Sequence, residues 1–474
     1  MASVNKTKKS IPVINEFTGS RAAKLSNKEK LRRSTCACLL NENEFYEEGV
    51  SIKRRIHDLI METDSADVIE IMKDAKNKYH LRHTPLYMAV CLAEKGDLKA
   101  DDLYDIINRC DDITETLAIY WENGKKPLSK QLMKGLGKAC AKFDEYQYGK
   151  YKGVKKTISM RDAFRIVHPI PVAGKFGKTD MTLEQRNELY KKVVNNTLAT
   201  PYTWETELSA GKDKNKTWTD LIESKKIGGL AMLRNISNMK KASVDKNIIK
   251  KGILNINNSM LLPLNYLKAA GMNPEFERDI ETAMLNSYKN LEKLPGKTLF
   301  IVDVSGSMGS LSSDKTSERL DKACAMAILA ASQCEDFELV ATAGNDMTYV
   351  GAHEWIQYPE SGFRLCKQIA DTRNRIGGGG IFTRQVLEWC QKKFEGVKEF
   401  DRIIVFSDSQ DCDLPDRTVP NPFGKYNYIC DVSSSEYGVN FHGKWTAEIT
   451  GFSEHFITYI AASEGVTNNF QQEE

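Results

Sequence analysis

The chain has 474 residues, 41% of them hydrophobic and 28% charged, a globular composition too long for a single hydrophobic core. Its net charge of +3 hides an asymmetry: residues 1–295 hold 51 Lys+Arg against 38 Asp+Glu, and residues 296–474 hold 16 against 26. No apolar run approaches the ~18 residues of a membrane span, and the opening MASVNKTKKSIPVINEF lacks an apolar stretch of secretory length, so neither a membrane protein nor a signal peptide is expected.

A basic part joined to an acidic one implies that the first meets a polyanion and the second does not, with a solubility pattern as the plain alternative. The eleven cysteines are an odd number without a CxxC pair. The closest two, Cys36 and Cys38, have no second Cys or His pair at zinc spacing. Reduced structural thiols in a cytoplasmic protein are therefore expected.

Residues 1–30 read as a flexible, Lys-rich leader. From 31 to 294, helical spacing alternates with short polar breaks. Leu86, Met88, Ala89, Cys91 and Leu92 share one face before Gly96 ends the run, and Ile280, Met284, Leu285, Tyr288 and Leu291 repeat the pattern. Many short helices without a long heptad seam suggest an α-solenoid of stacked pairs.

The character changes at Pro295. Strand 298–305 is followed by a helix in ERLDKACAMAILAASQ, a strand in FELVATAG and a helix in FRLCKQIADTRN. A glycine run, the helix TRQVLEWCQKKF, strands RIIVFSD and YNYICDVS, and the helix SEHFITYIAAS complete the order. Apolar strands alternating with helices predict a parallel, doubly wound α/β domain over 295–474.

In such a sheet, ligands sit beyond the carboxyl ends of the strands at the switch point. Asp303, Ser305 and Ser307 alternate along the turn after the first strand, the run Gly377–Gly380 leads to Thr383, and Asp408 follows RIIVFS. Two carboxylates and three hydroxyls are hard oxygen ligands that suit a divalent cation, Mg²⁺ above all, and leave positions open for a partner's acidic group. The plain alternative makes Ser305, Ser307 and Thr383 helix caps.

In the basic part, Lys130, Lys134, Lys138 and Lys142 recur every four residues, and Lys150, Lys152, Lys155, Lys156, Arg161 and Arg165 follow. Residues 130–165 hold ten Lys+Arg and three acids. Such a stripe is ordinarily a solvated helix face. The interleaved Tyr146, Tyr148 and Tyr151 suggest base stacking beside phosphate contacts. His168 is a candidate base or phosphate contact, with a structural role before Pro169 as its rival.

The motif of Asp303, Ser305, Ser307, Thr383 and Asp408 resembles the metal-ion-dependent adhesion site of von Willebrand factor A domains. It departs where that loop often reads Gly-Gly-Thr-Asp: Ile381 and Phe382 intervene and Arg384 replaces the Asp. The stretch YKGVKKTISMRDAFRIVHPIP, the run 203–239 ending Leu233-Arg234-Asn235, and MLLPLNYLKAAGM resemble the Ro (TROVE-domain) family from about residue 30 onward. The resemblance implies a closed ring of HEAT-like helical repeats, joined to the A-like domain. Small noncoding Y-like RNA would bind the outer basic surface, and single-stranded ends of misfolded RNA would enter the ring. By motif position His168, Lys152, Lys155 and Arg165 would face RNA, while Trp204, Trp218 and Arg234 would serve as scaffold.

Catalysis is not expected: there is no GxxxxGK[ST], Ser305 lies in no GxSxG elbow, and the seven histidines form no HExxH. The rival to an RNA binder is a metal-dependent protein scaffold. There the cation captures a carboxylate-bearing partner, or an exonuclease docks at it, and RNA is incidental. A monomer is expected in either case.

Overall fold

The computed structural model describes residues 13–14, 21–22, 25–36, 49–151, 158–256, 261–311, 318–396, 399–413, 421–433 and 445–466. Its contacts form two compact units, one of residues 1–52 and 228–474, the other of 53–227. That division falls inside the expected helical region and groups its last helices with the sheet, whereas sequence character changes at 294/295. Most of the 1–30 leader lies outside the described residues.

In the first unit, β1 (Val13–Ile14) pairs with β2 (Arg21–Ala22). Among its described residues, the second unit has helices as its regular structure apart from the hairpin of β3 (Gly174–Phe176) and β4 (Thr179–Met181). Its helices start and stop on local chemistry. Asp64 caps the helix Ser65–Asn77, and Gly96, with φ +90°, ends His83–Lys95 as the spacing predicts. Ser159 and Asp162 cap Met160–Val167 reciprocally, as Thr182 and Gln185 do for Leu183–Asn195. An edge-to-face chain of Phe143, Tyr148, Phe164 and Tyr190, with centroids 6.0, 5.4 and 5.1 Å apart, fills the space between three of these helices.

In the first unit, the helices Gly229–Lys241, Lys246–Leu254, Pro263–Met272 and Glu277–Ser287 lead into a six-stranded sheet. Its strands are β5 (Leu294–Asp303), β6 (Cys334–Asn345), β7 (Val350–Trp355), β8 (Arg402–Ser407), β9 (Tyr426–Asp431) and β10 (Ala447–Thr450). Their order across the sheet is β10-β9-β8-β5-β6-β7. Chain order therefore reverses between β5 and β8, which makes the gap beyond their carboxyl ends the switch point.

The expectation of a wholly parallel sheet needs correction. β7 runs antiparallel to β6, from Val340↔Trp355 to Asn345↔Val350, because a short turn joins the two, whereas a parallel return needs a crossover. The other pairs are parallel. The ten described cysteines are free thiols. Among the described residues, no helix is long and apolar enough to cross a membrane.

Candidate strand-end cation site and basic helical surface

The continuous apolar run of β5 ends in Asp303, which is fully buried. Its Oδ1 accepts the Ser305 amide at 2.8 Å, and its Oδ2 accepts the Ser407 hydroxyl at 2.7 Å. The Ser305 and Ser307 hydroxyls lie 3.2 Å apart. Residue 306 must be glycine, since a Cβ there would stand 2.7 Å from the Gly378 carbonyl oxygen. The glycine run is thereby laid directly over the serine turn.

Asp408, immediately after β8, is also fully buried, and its charge reaches Asp303. Burial first, and the Asp408 carboxylate second, push the Asp303 carboxyl up to about 7. Arg319, at the first turn of the helix Arg319–Gln333, donates from Nη1 to Asp408 Oδ2 at 2.7 Å and toward the Ser307 carbonyl at 3.4 Å. Arg373 donates to the carbonyls of Val304 and Ser305 at 2.6 and 2.8 Å.

Thr383 opens the helix Thr383–Phe394, and its amide donates to Asp411 Oδ1 at 2.7 Å. The structure thus brings Asp303, Ser305, Ser307 and Asp408 together, while Thr383 engages Asp411. Burial, then Asp413, raises the Asp411 carboxyl to about 7. The intervening Ile381 and Phe382 are buried: Ile381 bridges to Asp411, and the Phe382 ring fills the space left by Gly344.

Donor chemistry supplies a test of fit. Asp303, Ser305 and Ser307 offer a buried carboxylate and two adjacent hydroxyls, a hard-oxygen set that fits a divalent cation. Asp408 joins the set only by sharing its carboxylate, one oxygen of which is taken by Arg319 and the other by the Gln410 amide. Among the described residues, no group of three or more His, Cys, Asp or Glu stands in metal-holding geometry. Sequence reasoning missed Arg319, Arg373, Ser407 and Asp411. Ser407 and Asp411 lie in the acid-rich SDSQDCD run, a local signal that Arg319 and Arg373 lack.

On the basic surface, Lys130, Lys134 and Lys138 are exposed on Lys130–Ala139, whose other side buries Leu132, Leu136 and Ala139. Arg161 and Arg165 are exposed on Met160–Val167, and His168 caps that helix in a left-handed conformation, also exposed. A Cβ on Gly137 would stand 3.4 Å from the Val167 carbonyl and 3.8 Å from Pro169 Cα. The His168 turn therefore abuts the lysine helix between Lys134 and Lys138.

Other expected contacts differ. The Lys138 ammonium is 2.5 Å from Asp101. Lys142 donates to the Tyr104 and Ile107 carbonyls over the Tyr104 ring, and burial brings its pKa down to about 8. Lys150 is half-buried beside Tyr151, and Lys152, Lys155 and Lys156 lie outside the described residues. Tyr148 is corrected from a stacking candidate to core, its hydroxyl donating to the Cys140 carbonyl at 2.8 Å. Tyr151 is half-buried, its hydroxyl accepting from Arg109 at 2.7 Å. Tyr146 remains exposed. Trp204 stacks on the buried Trp218 as scaffold, whereas Arg234 faces solvent.

The family model of the TROVE domain matches residues 195–338, from the helices before the sheet through Asp303, Ser305, Ser307 and Arg319. No curated protein sequence matches the chain. Among solved structures, the crystal structure of the Deinococcus radiodurans Ro (RSR) protein is similar with a TM-score of 0.55 and 15% identity. The likeness covers 93% of this chain and 100% of that one, and at such identity it speaks to the fold.

Proposed function

A chain that carries a TROVE domain on the fold of a Ro protein belongs to the Ro/TROVE family, and from that premise we propose a non-catalytic, cytoplasmic RNA-binding protein. The observation that carries the reading is the packing of two helices with exposed cations, Lys130–Ala139 and Met160–Val167, against each other at the His168 turn. Lys130, Lys134 and Lys138 project from one helix, and the turn ending the Arg161–Arg165 helix packs between the last two. Fixed cations supply the phosphate term of binding, while unpaired bases in loops and ends supply stacking and edge contacts. The ligands we propose are small noncoding, Y-like RNA on this surface and single-stranded ends of structured or misfolded RNA through the helical ring.

We read the α/β part as a von Willebrand factor A-like domain. There Asp303, Ser305 and Ser307 would hold a divalent cation, Mg²⁺ by ligand type, with Asp408 and Thr383 as the further candidates. The bound ion would supply positive charge for the acidic group of a protein partner.

The test is an equilibrium titration with a structured RNA bearing a single-stranded 3′ tail, beside its blunt counterpart and across a salt series. Tail-dependent binding is expected, with a salt slope of about 0.7 per phosphate contacted by single-stranded RNA. Weak binding, indifferent to tail and salt, would hand the lead to the metal-dependent protein scaffold.

A further inference from the structure

Three aspartates mark the carboxyl ends of neighbouring strands: Asp303 on β5, Asp408 after β8 and Asp431 on β9. All three are fully buried. Two of them carry a buried arginine from a helix. Arg33, on Asn27–Cys36, pairs with Asp431, and Arg319 pairs with Asp408 at 2.7 Å. Asp303 instead accepts the Ser305 amide and the Ser407 hydroxyl, with the Arg373 guanidinium nearby on the carbonyls of Val304 and Ser305.

The candidate cation site therefore holds its own positive charge. Arg319 is 4% exposed at the side chain and Asp408 0%. A pair so deep resists separation, because either partner left alone is an uncompensated buried charge. The other Asp408 oxygen accepts the Gln410 amide at 3.2 Å. A divalent ion reaching Asp408, directly or through a water, would share that carboxylate with a guanidinium and meet like-charge repulsion.

We propose that Arg319 is a built-in counter-cation that competes with a divalent ion for Asp408, so the site takes such an ion only by loosening the Arg319–Asp408 pair. The inference rests on the reading of Asp303, Ser305 and Ser307 as a cation site. It makes Arg319 a positioning residue that sets divalent affinity without ligating the ion.

The experiment measures Mn²⁺ binding to the full chain from the loss of the free-ion electron paramagnetic resonance signal. Wild type, Arg319→Gln and Asp303→Asn are compared. Arg319→Gln is expected to bind Mn²⁺ about tenfold more tightly than wild type, and Asp303→Asn to abolish binding. Binding by Arg319→Gln alone supports both the cation reading and the competition. Equal or weaker binding by Arg319→Gln, with wild type binding, overturns the competition and leaves the cation reading standing. Binding by neither chain overturns both. Should Arg319→Gln fail to fold, Arg319→Lys replaces it: the single Nη1 that meets both Ser307 and Asp408 gives way to a shorter, more strongly hydrated ammonium. Tighter Mn²⁺ binding than wild type is then expected, and unchanged affinity overturns the proposal.

Discussion

Arg402 and Glu464 form an ion pair with side chains only 1% and 3% exposed, tying the end of the helix His455–Ser463 to the centre of the sheet. Arg402 Nε meets the two Glu464 oxygens at 2.9 and 3.1 Å, and Nη1 donates to Thr298 Oγ1 on β5 at 3.0 Å. Removing one member strands the other charge in the interior. Glu464→Ala is therefore expected to cost about 3–5 kcal/mol of unfolding free energy, read by chemical denaturation. A loss under about 1 kcal/mol, the range of exposed pairs, would refute the assignment.

His353 on β7 ties stability to pH. Its Nδ1 shares a hydrogen bond with Thr342 Oγ1 at 2.9 Å, and its ring lies against Trp389. Burial lowers its pKa from 6.5 to about 4. Between those values the unfolded chain binds the proton and the folded chain does not, so this contribution is present above pH 6.5 and lost as pH falls toward 4. His353→Phe is expected to flatten the stability profile across that window. The measurement is the difference between wild-type and variant denaturation curves, and parallel profiles would sink the assignment.

Gly344 makes room for Phe382. A Cβ at 344 would overlap the Phe382 ring and stand 2.7 Å from the Val350 carbonyl oxygen. Gly344→Ala is expected to lower stability by about 1–3 kcal/mol through overpacking. In a double-mutant cycle, Phe382→Leu should recover part of that loss, and strict additivity would show that the two positions do not meet.

Much of the α/β part is legible in the sequence because its central strands are buried on both faces and read as unbroken apolar runs. The helix Thr383–Phe394 spans the predicted TRQVLEWCQKKF. β7 is not legible: VGAHEW is an edge strand with polar and half-buried positions, and no apolar run marks it. In the cation site, the Asp303–Ser307 turn can be read because its geometry is local. The partners Arg319 and Asp408 are 89 residues apart, and Arg33 and Asp431 are 398 apart, so their pairing belongs to tertiary structure. Lys142 shows how a period misleads. The α-helix stops at Ala139 and a 3₁₀ turn covers Cys140–Lys142, so the four-residue spacing no longer keeps the fourth lysine on the exposed face.

That difference separates two lysines of one stripe. Lys134 is exposed, while Lys142 bonds two backbone carbonyls with its ammonium over the Tyr104 ring. If the stripe contacts phosphates, Lys134→Ala should weaken RNA binding about uniformly across sequences and reduce the salt slope by about 0.7 to 1, with the melting temperature unchanged. Lys142→Ala should do the reverse, lowering thermal stability while the salt slope of the folded protein stays at the wild-type value. Lys138 falls between them, because Asp101 holds its ammonium and must release it before a phosphate can take its place. Titrations of the three variants at several salt concentrations, beside their thermal melts, decide the matter. A slope that responds to Lys142 and not to Lys134 would move the RNA surface away from the exposed face of this helix.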